Sequence, residues 1–177
     1  MGVGGRFSAF SPVGLFFLAA TADQDEAVEP RVRSLLEGVE LADEQFRQSA
    51  KSPDSIAFQL AAWLQSCEHD AGLGTLVFYN YADLNALGDW FVQLYEESIV
   101  ERGAGLNVVS ARGPTSNHSL LNGIVRGPSD KTVLFVHWRD LGHRLKIPVG
   151  TGIKGDLEAL EGLTMNQVQT ASNRGPA

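Results

Sequence analysis

Three short apolar runs set the tightest limit on how this chain folds. Thr75 to Tyr79, Leu106 to Val109 and Thr132 to Trp138 are rich in β-formers, bounded by glycine or polar turn residues, and hydrophobic on both faces. A strand with one wet face would alternate; these do not, which is the mark of strands covered on both sides in a parallel sheet. Helical patterns fill the gaps. Leu84, Leu87, Phe91, Leu94 and Ser98 recur at spacings of three and four, tracing one face of a helix that ends near Arg102-Gly103. Ser55 to Cys67 reads similarly, entered through Pro53-Asp54-Ser55, with Ile56, Leu60, Trp63 and Leu64 inward. Val32 to Ala50 is more charged and reads as two short helices broken around Gly38, and Leu157 to Thr170 as a terminal helix. Helix, helix, helix, strand, helix, strand, helix, strand is the order of an α/β three-layer domain, a parallel β-sheet flanked by α-helices.

At 177 residues the chain is long enough for one domain with a sizeable core and short for two. Its 14 Lys+Arg against 21 Asp+Glu leave a net charge of −7. That balance argues against nucleic acid as a partner, yet a local cluster of donors can still hold a phosphorylated small molecule. The single cysteine, Cys67, excludes an internal disulfide framework and a multi-Cys zinc site, and suits a cytoplasmic protein. Near the amino end Arg6 precedes the apolar run Val13 to Ala20, and Ala20-Thr21-Ala22 resembles a signal-peptidase site. Pro12, Ser8 and Ser11 interrupt that pattern, and the run is far below the roughly 20 residues a membrane span needs. A buried helix following a glycine turn is the better reading. Both ends of the sequence read as those of a piece of something larger.

Four local features bear chemistry. Gly150-Thr151-Gly152-Ile153-Lys154-Gly155 has the G-x-G-x-x-G spacing of dinucleotide loops, but Gly175 stands where the ribose-binding acid belongs. A flexible loop fits better. His118 follows a Gly113-Pro114 turn and the N-cap types Thr115, Ser116 and Asn117, so it is either a proton carrier at an anion-facing loop or an exposed histidine beside a plain cap. His69, His137 and His143 form no pair with metal-ligand spacing, which argues against a metal site. Glu97 lies seven and three residues along from Trp90 and Leu94, with Gln93 on the same face and Glu96 turned toward solvent. Burial beside Trp90 would suit Glu97 to general-base work; the plain alternative pairs it with Arg102 or water. Gly4-Gly5 lets the backbone approach a ligand closely and places Arg6 at a helix start.

Together these segments resemble a known family. Gly4-Gly5-Arg6-Phe7-Ser8-Ala9-Phe10-Ser11-Pro12-Val13-Gly14-Leu15 is similar to the signature segment of glucose-6-phosphate isomerases, Gln93-Leu94-Tyr95-Glu96-Glu97-Ser98 to their glutamate helix, and Gly113-Pro114-Thr115-Ser116-Asn117-His118-Ser119 to their histidine loop. The order and intervals agree, and the match corresponds to the second sugar-isomerase (SIS) domain of a longer two-domain enzyme. The resemblance implies a glycolytic, cytoplasmic, cofactor-free isomerase that interconverts glucose 6-phosphate and fructose 6-phosphate through a cis-enediol. It implies that Glu97 carries the proton, Arg6 stabilises the enediolate and His118 opens the sugar ring from across a homodimer interface. Gln93, Gly4 and Gly5 would contact the substrate, at the carboxyl ends of the strands. Ser116-Asn117 departs from the family, where Asp-Gln or Gly-Gln is expected, and acidic residues between Asp23 and Glu29 make that linker unusual. The family's phosphate-gripping loops belong to the first domain, and its carboxy-terminal lysine is expected beyond Ala177. A non-catalytic module that binds a sugar phosphate is the alternative.

Overall fold

Strand order decides which apolar run is covered on both faces. In the computed structural model, which describes residues 3–22, 27–49, 52–81, 84–140, 144–152 and 154–175, β1 is Thr75–Tyr81, β2 is Asn107–Gly113 and β3 is Lys131–Val136. They form one parallel sheet in the order β2-β1-β3. Only the central β1 is buried along nearly its whole length. β2 alternates and β3 is half-buried throughout, because each has a neighbour on one side alone. Trp138, expected in the third strand, lies beyond it and is half exposed.

The nine helices of the described residues are six α-helices and three 3-10 turns: α1 Pro12–Ala20, α2 Val28–Ser49, α3 Ile56–His69, α4 Asn85–Glu96, α5 Thr115–Arg126 and α6 Met165–Arg174, with 3-10 turns at Gly5–Phe7, Val100–Arg102 and Gly155–Leu160. The chain divides into two compact units, Met1–Ala71 and Gly72–Ala177.

The second unit holds the sheet and its two flanking layers. On one face Phe78 stacks on Phe91 of α4 at 4.5 Å between ring centroids, and Asn80 lies under Gly88. On the other, Val77, Tyr79, Tyr81 and Ala111 form a core closed by Leu120 and Ile124 of α5 and by Val133 and Phe135. Successive residues of β1 therefore serve opposite layers, as the pleat requires. This is the α/β three-layer arrangement expected. The tail differs from expectation: Leu157 lies in a 3-10 turn, and a capping box in which Thr164 and Gln167 satisfy each other's backbone N–H groups starts α6 afresh.

In the first unit α2 runs unbroken for 22 residues through Gly38. A glycine there costs roughly 0.5–1 kcal/mol against alanine, and exposed i,i+4 ion pairs Glu29–Arg33 and Asp43–Arg47 flank it on the same helix. α3 is capped by Ser55, whose hydroxyl accepts from the Phe58 N–H at 3.4 Å. Its buried residues are Leu64 and Cys67; Ile56, expected inward, is the first residue of the helix and 82% exposed. α1 is the helix expected after the glycine turn, but it is not buried. Leu15, Leu18 and Ala19 are half-buried while Phe16 and Phe17 are 67% and 63% exposed, because its apolar residues encircle it and one helical neighbour covers one side.

Candidate active site

In the first unit the chain turns twice before α1. Gly4 accepts from the Phe7 N–H and Gly5 from the Ser8 N–H, both at 3.0 Å, closing a single 3-10 turn around Arg6. Arg6 thus sits in a turn, not at the head of a helix as its sequence context suggested. Ser8 and Ser11 explain why: the Ser8 hydroxyl donates back to the Gly5 carbonyl, the Ser11 hydroxyl to that of Ser8, and Ser11 with Pro12 at the first helical position delays α1. The Arg6 guanidinium lies 5.0 Å from the centroid of the Phe7 ring, and Gly4 and Gly5 are exposed. Gly14 is fixed for a separate reason, since a Cβ there would lie 2.0 Å from the Ala9 carbonyl oxygen.

In the second unit Gln93 and Glu97 come together. The helix ends at Glu96, Glu97 caps it, and Gln93 Nε2 donates to Glu97 Oε1 at 3.1 Å, so one face of the last turn carries a half-buried carboxylate already held by an amide. Glu96 corrects an expectation. It is not solvated: its Oε1 accepts from the Val108 N–H at 2.6 Å and ties the end of α4 to the start of β2. An edge strand leaves such N–H groups open, and a carboxylate twelve residues earlier takes this one.

His118 lies in the first turn of α5 and is exposed. Its neighbours are not caps, as their types suggested, but fasteners. Ser116 Oγ accepts from the Arg112 N–H at 2.9 Å, and Asn117 Oδ1 accepts from the Tyr79 hydroxyl at 2.6 Å and the Tyr81 hydroxyl at 2.9 Å. No local pattern could reveal those bonds, because the tyrosines lie 38 and 36 residues earlier. Arg112 at the end of β2 pairs with Asp89 of α4 at 3.1 Å.

The site is thus not gathered at one end of the sheet. His118 follows the carboxyl end of β2, whereas Glu97 and Gln93 stand where α4 meets its amino end, contrary to the expectation that all lie at strand carboxyl ends. α4 is an antiparallel return from β1, so its last turn lands at the far edge.

The Gly150–Gly155 motif is committed elsewhere. The Glu161 carboxylate accepts from the Gly150 N–H, the Thr151 N–H and the Thr151 hydroxyl at 2.9, 3.0 and 2.6 Å; Ile153 lies outside the described residues. Those three donors hold the Glu161 carboxyl below its usual range. His143 and residues 23–26 also lie outside the described residues. Among those described no group of three or more His, Cys, Asp or Glu is placed to hold a metal, and no helix is long and apolar enough to cross a membrane.

No known family model matches the chain. Individual proteins do. A glucose-6-phosphate isomerase of Rubrobacter xylanophilus is 38% identical over 163 residues, 91% of this chain and 34% of its own length. Another, from Carboxydothermus hydrogenoformans, is 31% identical over 97% of this chain and 37% of its own. Over most of its length the chain is similar to glucose-6-phosphate isomerases. It spans about a third of the length of these curated relatives. A crystal structure of a hypothetical protein from Thermus thermophilus matches with a TM-score of 0.77 and 33% identity, over 98% of this chain and 40% of that one. The segment that resembles the isomerases' glutamate helix is α4 and its cap, and the one that resembles their histidine loop is the β2–α5 connection.

Proposed function

We propose that residues 1–177 are the second sugar-isomerase domain of a longer cytoplasmic glucose-6-phosphate isomerase, a single domain acting in the aldose–ketose interconversion of glucose 6-phosphate and fructose 6-phosphate. The observation that carries this is 30–38% identity to proteins of that name over nearly the whole chain. The chemistry asks for three groups. A proton donor must open the hemiacetal ring, a base must move a proton between C1 and C2, and a fixed cation must offset the charge that builds on the enediolate oxygen. We assign these to His118, Glu97 and Arg6. Glu97 takes the proton from C2 of the open aldose to give a cis-enediol and returns it to C1. Gln93 holds that carboxylate in register by its 3.1 Å bond and contacts the sugar, while Gly4 and Gly5 let the backbone approach it.

We further propose that a homodimer completes the site. What supports this is the division within one copy: α4 covers the Phe78 face of the sheet and α5 the Tyr79 face. Their ties to β2, at Val108 and Arg112, stand four residues apart, about 13 Å at the rise of a strand. A His118 supplied by a second copy removes that separation.

The test is deuterium exchange at C1 of fructose 6-phosphate in D2O, followed by NMR. Exchange by this chain that Glu97→Gln reduces by about a thousandfold, the weight of a general base, supports the assignment. Exchange that survives the substitution refutes Glu97 as the base. Saturable binding of the substrate with no exchange would instead mark the alternative, a sugar-phosphate-binding module without turnover.

A further inference from the structure

The residue before the histidine is the one side chain of its loop engaged with the deep core. Asn117 Oδ1 receives two hydroxyl protons, from Tyr79 and from Tyr81, which fills both lone pairs of one amide oxygen. Both rings are fully buried in the sheet, stacked at 5.6 Å between centroids, with Tyr79 also 5.2 Å from Phe135. Packing alone would be served by phenylalanine at either position; the two hydroxyls are spent on the histidine loop. The strand end is shaped for the same purpose. A Cβ on Gly113 would lie 2.4 Å from the Tyr81 ring, so the turn that delivers α5 rests directly on that ring. Ser116 adds a second fastening through the Arg112 N–H, and the Tyr81 hydroxyl, 3.2 Å from the Ser172 carbonyl, shares its proton with α6.

We propose that Tyr79, Tyr81 and Asn117 form a clamp that positions His118: the buried hydroxyls fix the height and rotation of the first turn of α5, and so aim the imidazole one residue on. The clamp rests on the reading of His118 as the ring-opening group. Consecutive helical residues project about 100° apart, so a rotation set at Asn117 is passed directly to His118. Burial, with Tyr81 beside it, pushes the Tyr79 hydroxyl up to about 12, so it remains a donor throughout the neutral range. The clamp also accounts for the departure at this position, because the shorter asparagine is the side chain that the two tyrosines meet here.

The test uses the whole chain with labelled histidine, His118→Gln serving to identify the ring signals. Asn117→Leu keeps the size and removes the acceptor. It should leave the amide spectrum beyond the β2–α5 connection unchanged while the order parameter of the His118 ring falls, and Asn117→Asp, which retains an oxygen for both hydroxyls, should restore it. In the D2O assay Asn117→Leu should lower kcat on ring-closed fructose 6-phosphate by about ten- to a hundredfold with KM held within about threefold, and spare an acyclic analogue. Tyr79→Phe and Tyr81→Phe should each loosen the ring in the parent and add nothing in the Asn117→Leu background. An unchanged ring order in Asn117→Leu overturns the clamp, as do equal losses on closed and acyclic substrates. Full exchange by His118→Gln would instead overturn the ring-opening role of His118, and the ring-order measurement, which needs no turnover, then judges the clamp alone.

Discussion

Glu161 sits where one carboxylate organises a loop of otherwise mobile composition. Three glycines within six positions, Gly150, Gly152 and Gly155, all adopt positive φ, and the carboxylate gathers the Gly150 and Thr151 amides and the Thr151 hydroxyl. These donors favour the charged form, so its folded-state pKa lies below the unfolded value. A depressed carboxylate contributes stability that is complete above the unfolded pKa and is lost as pH falls through the folded one. Hydrogen-exchange protection of the Gly150 and Thr151 amides, corrected for intrinsic rates, should therefore be present at neutral pH and vanish below the usual carboxylate range. Glu161→Gln should abolish it at every pH while leaving the sheet amides protected. Protection of these two amides that persists in the variant at neutral pH would mean the carboxylate does not hold the loop.

Two helical glycines show how differently one residue type acts in two elements. At Gly38, in the long exposed helix α2, an added Cβ would meet nothing within 4 Å, whereas at Gly88 of α4 it would lie 2.3 Å from Asn80 Nδ2 and 2.4 Å from Ser110 Oγ. Those two atoms are hydrogen-bonded to each other at 3.1 Å, and Asn80 is fully buried, so neither can retreat. Gly38→Ala should stabilise the chain by roughly 0.5–1 kcal/mol. At Gly88 the same gain is outweighed by overpacking of typically about 1–3 kcal/mol, and Gly88→Ala should lower the urea midpoint with an unchanged slope. Equal shifts of one sign in both variants would refute the close approach of α4 to the sheet. Glycine's meaning is not legible in the sequence for this reason: α2 reads as broken at Gly38, and nothing around Gly88 sets it apart, because what decides each is the distance to another element. Strand positions and the inward face of α4 are legible, since apolar pattern reports burial directly. Gln93 and Glu97, four apart on one helix, can be paired from spacing alone. The engagement of Asn117 by Tyr79 and Tyr81, and of Val108 by Glu96, cannot, because those bonds cross from one element to another.

On the scale of the whole molecule, the decisive fact is that β2 carries the glutamate helix at its beginning and the histidine loop at its end, on opposite faces of one sheet. A hexose phosphate held at one copy's Glu97 meets a histidine from another copy in the assembly we propose, and a closed two-fold pair makes that exchange reciprocal. Glu97→Gln and His118→Gln chains, each inactive alone, should then complement one another. In a mixed dimer one site collects both defects and the other collects none. Random reassortment makes about half the dimers mixed, so exchange at C1 of fructose 6-phosphate should recover to about a quarter of the parent rate. The recovery should appear only after subunits are allowed to redistribute, and mass measurement of differently tagged chains would show the mixed dimer rising in step with it. If the glutamate and histidine of a single copy served the same substrate, every mixed dimer would carry one defect in each site, and mixing would restore nothing.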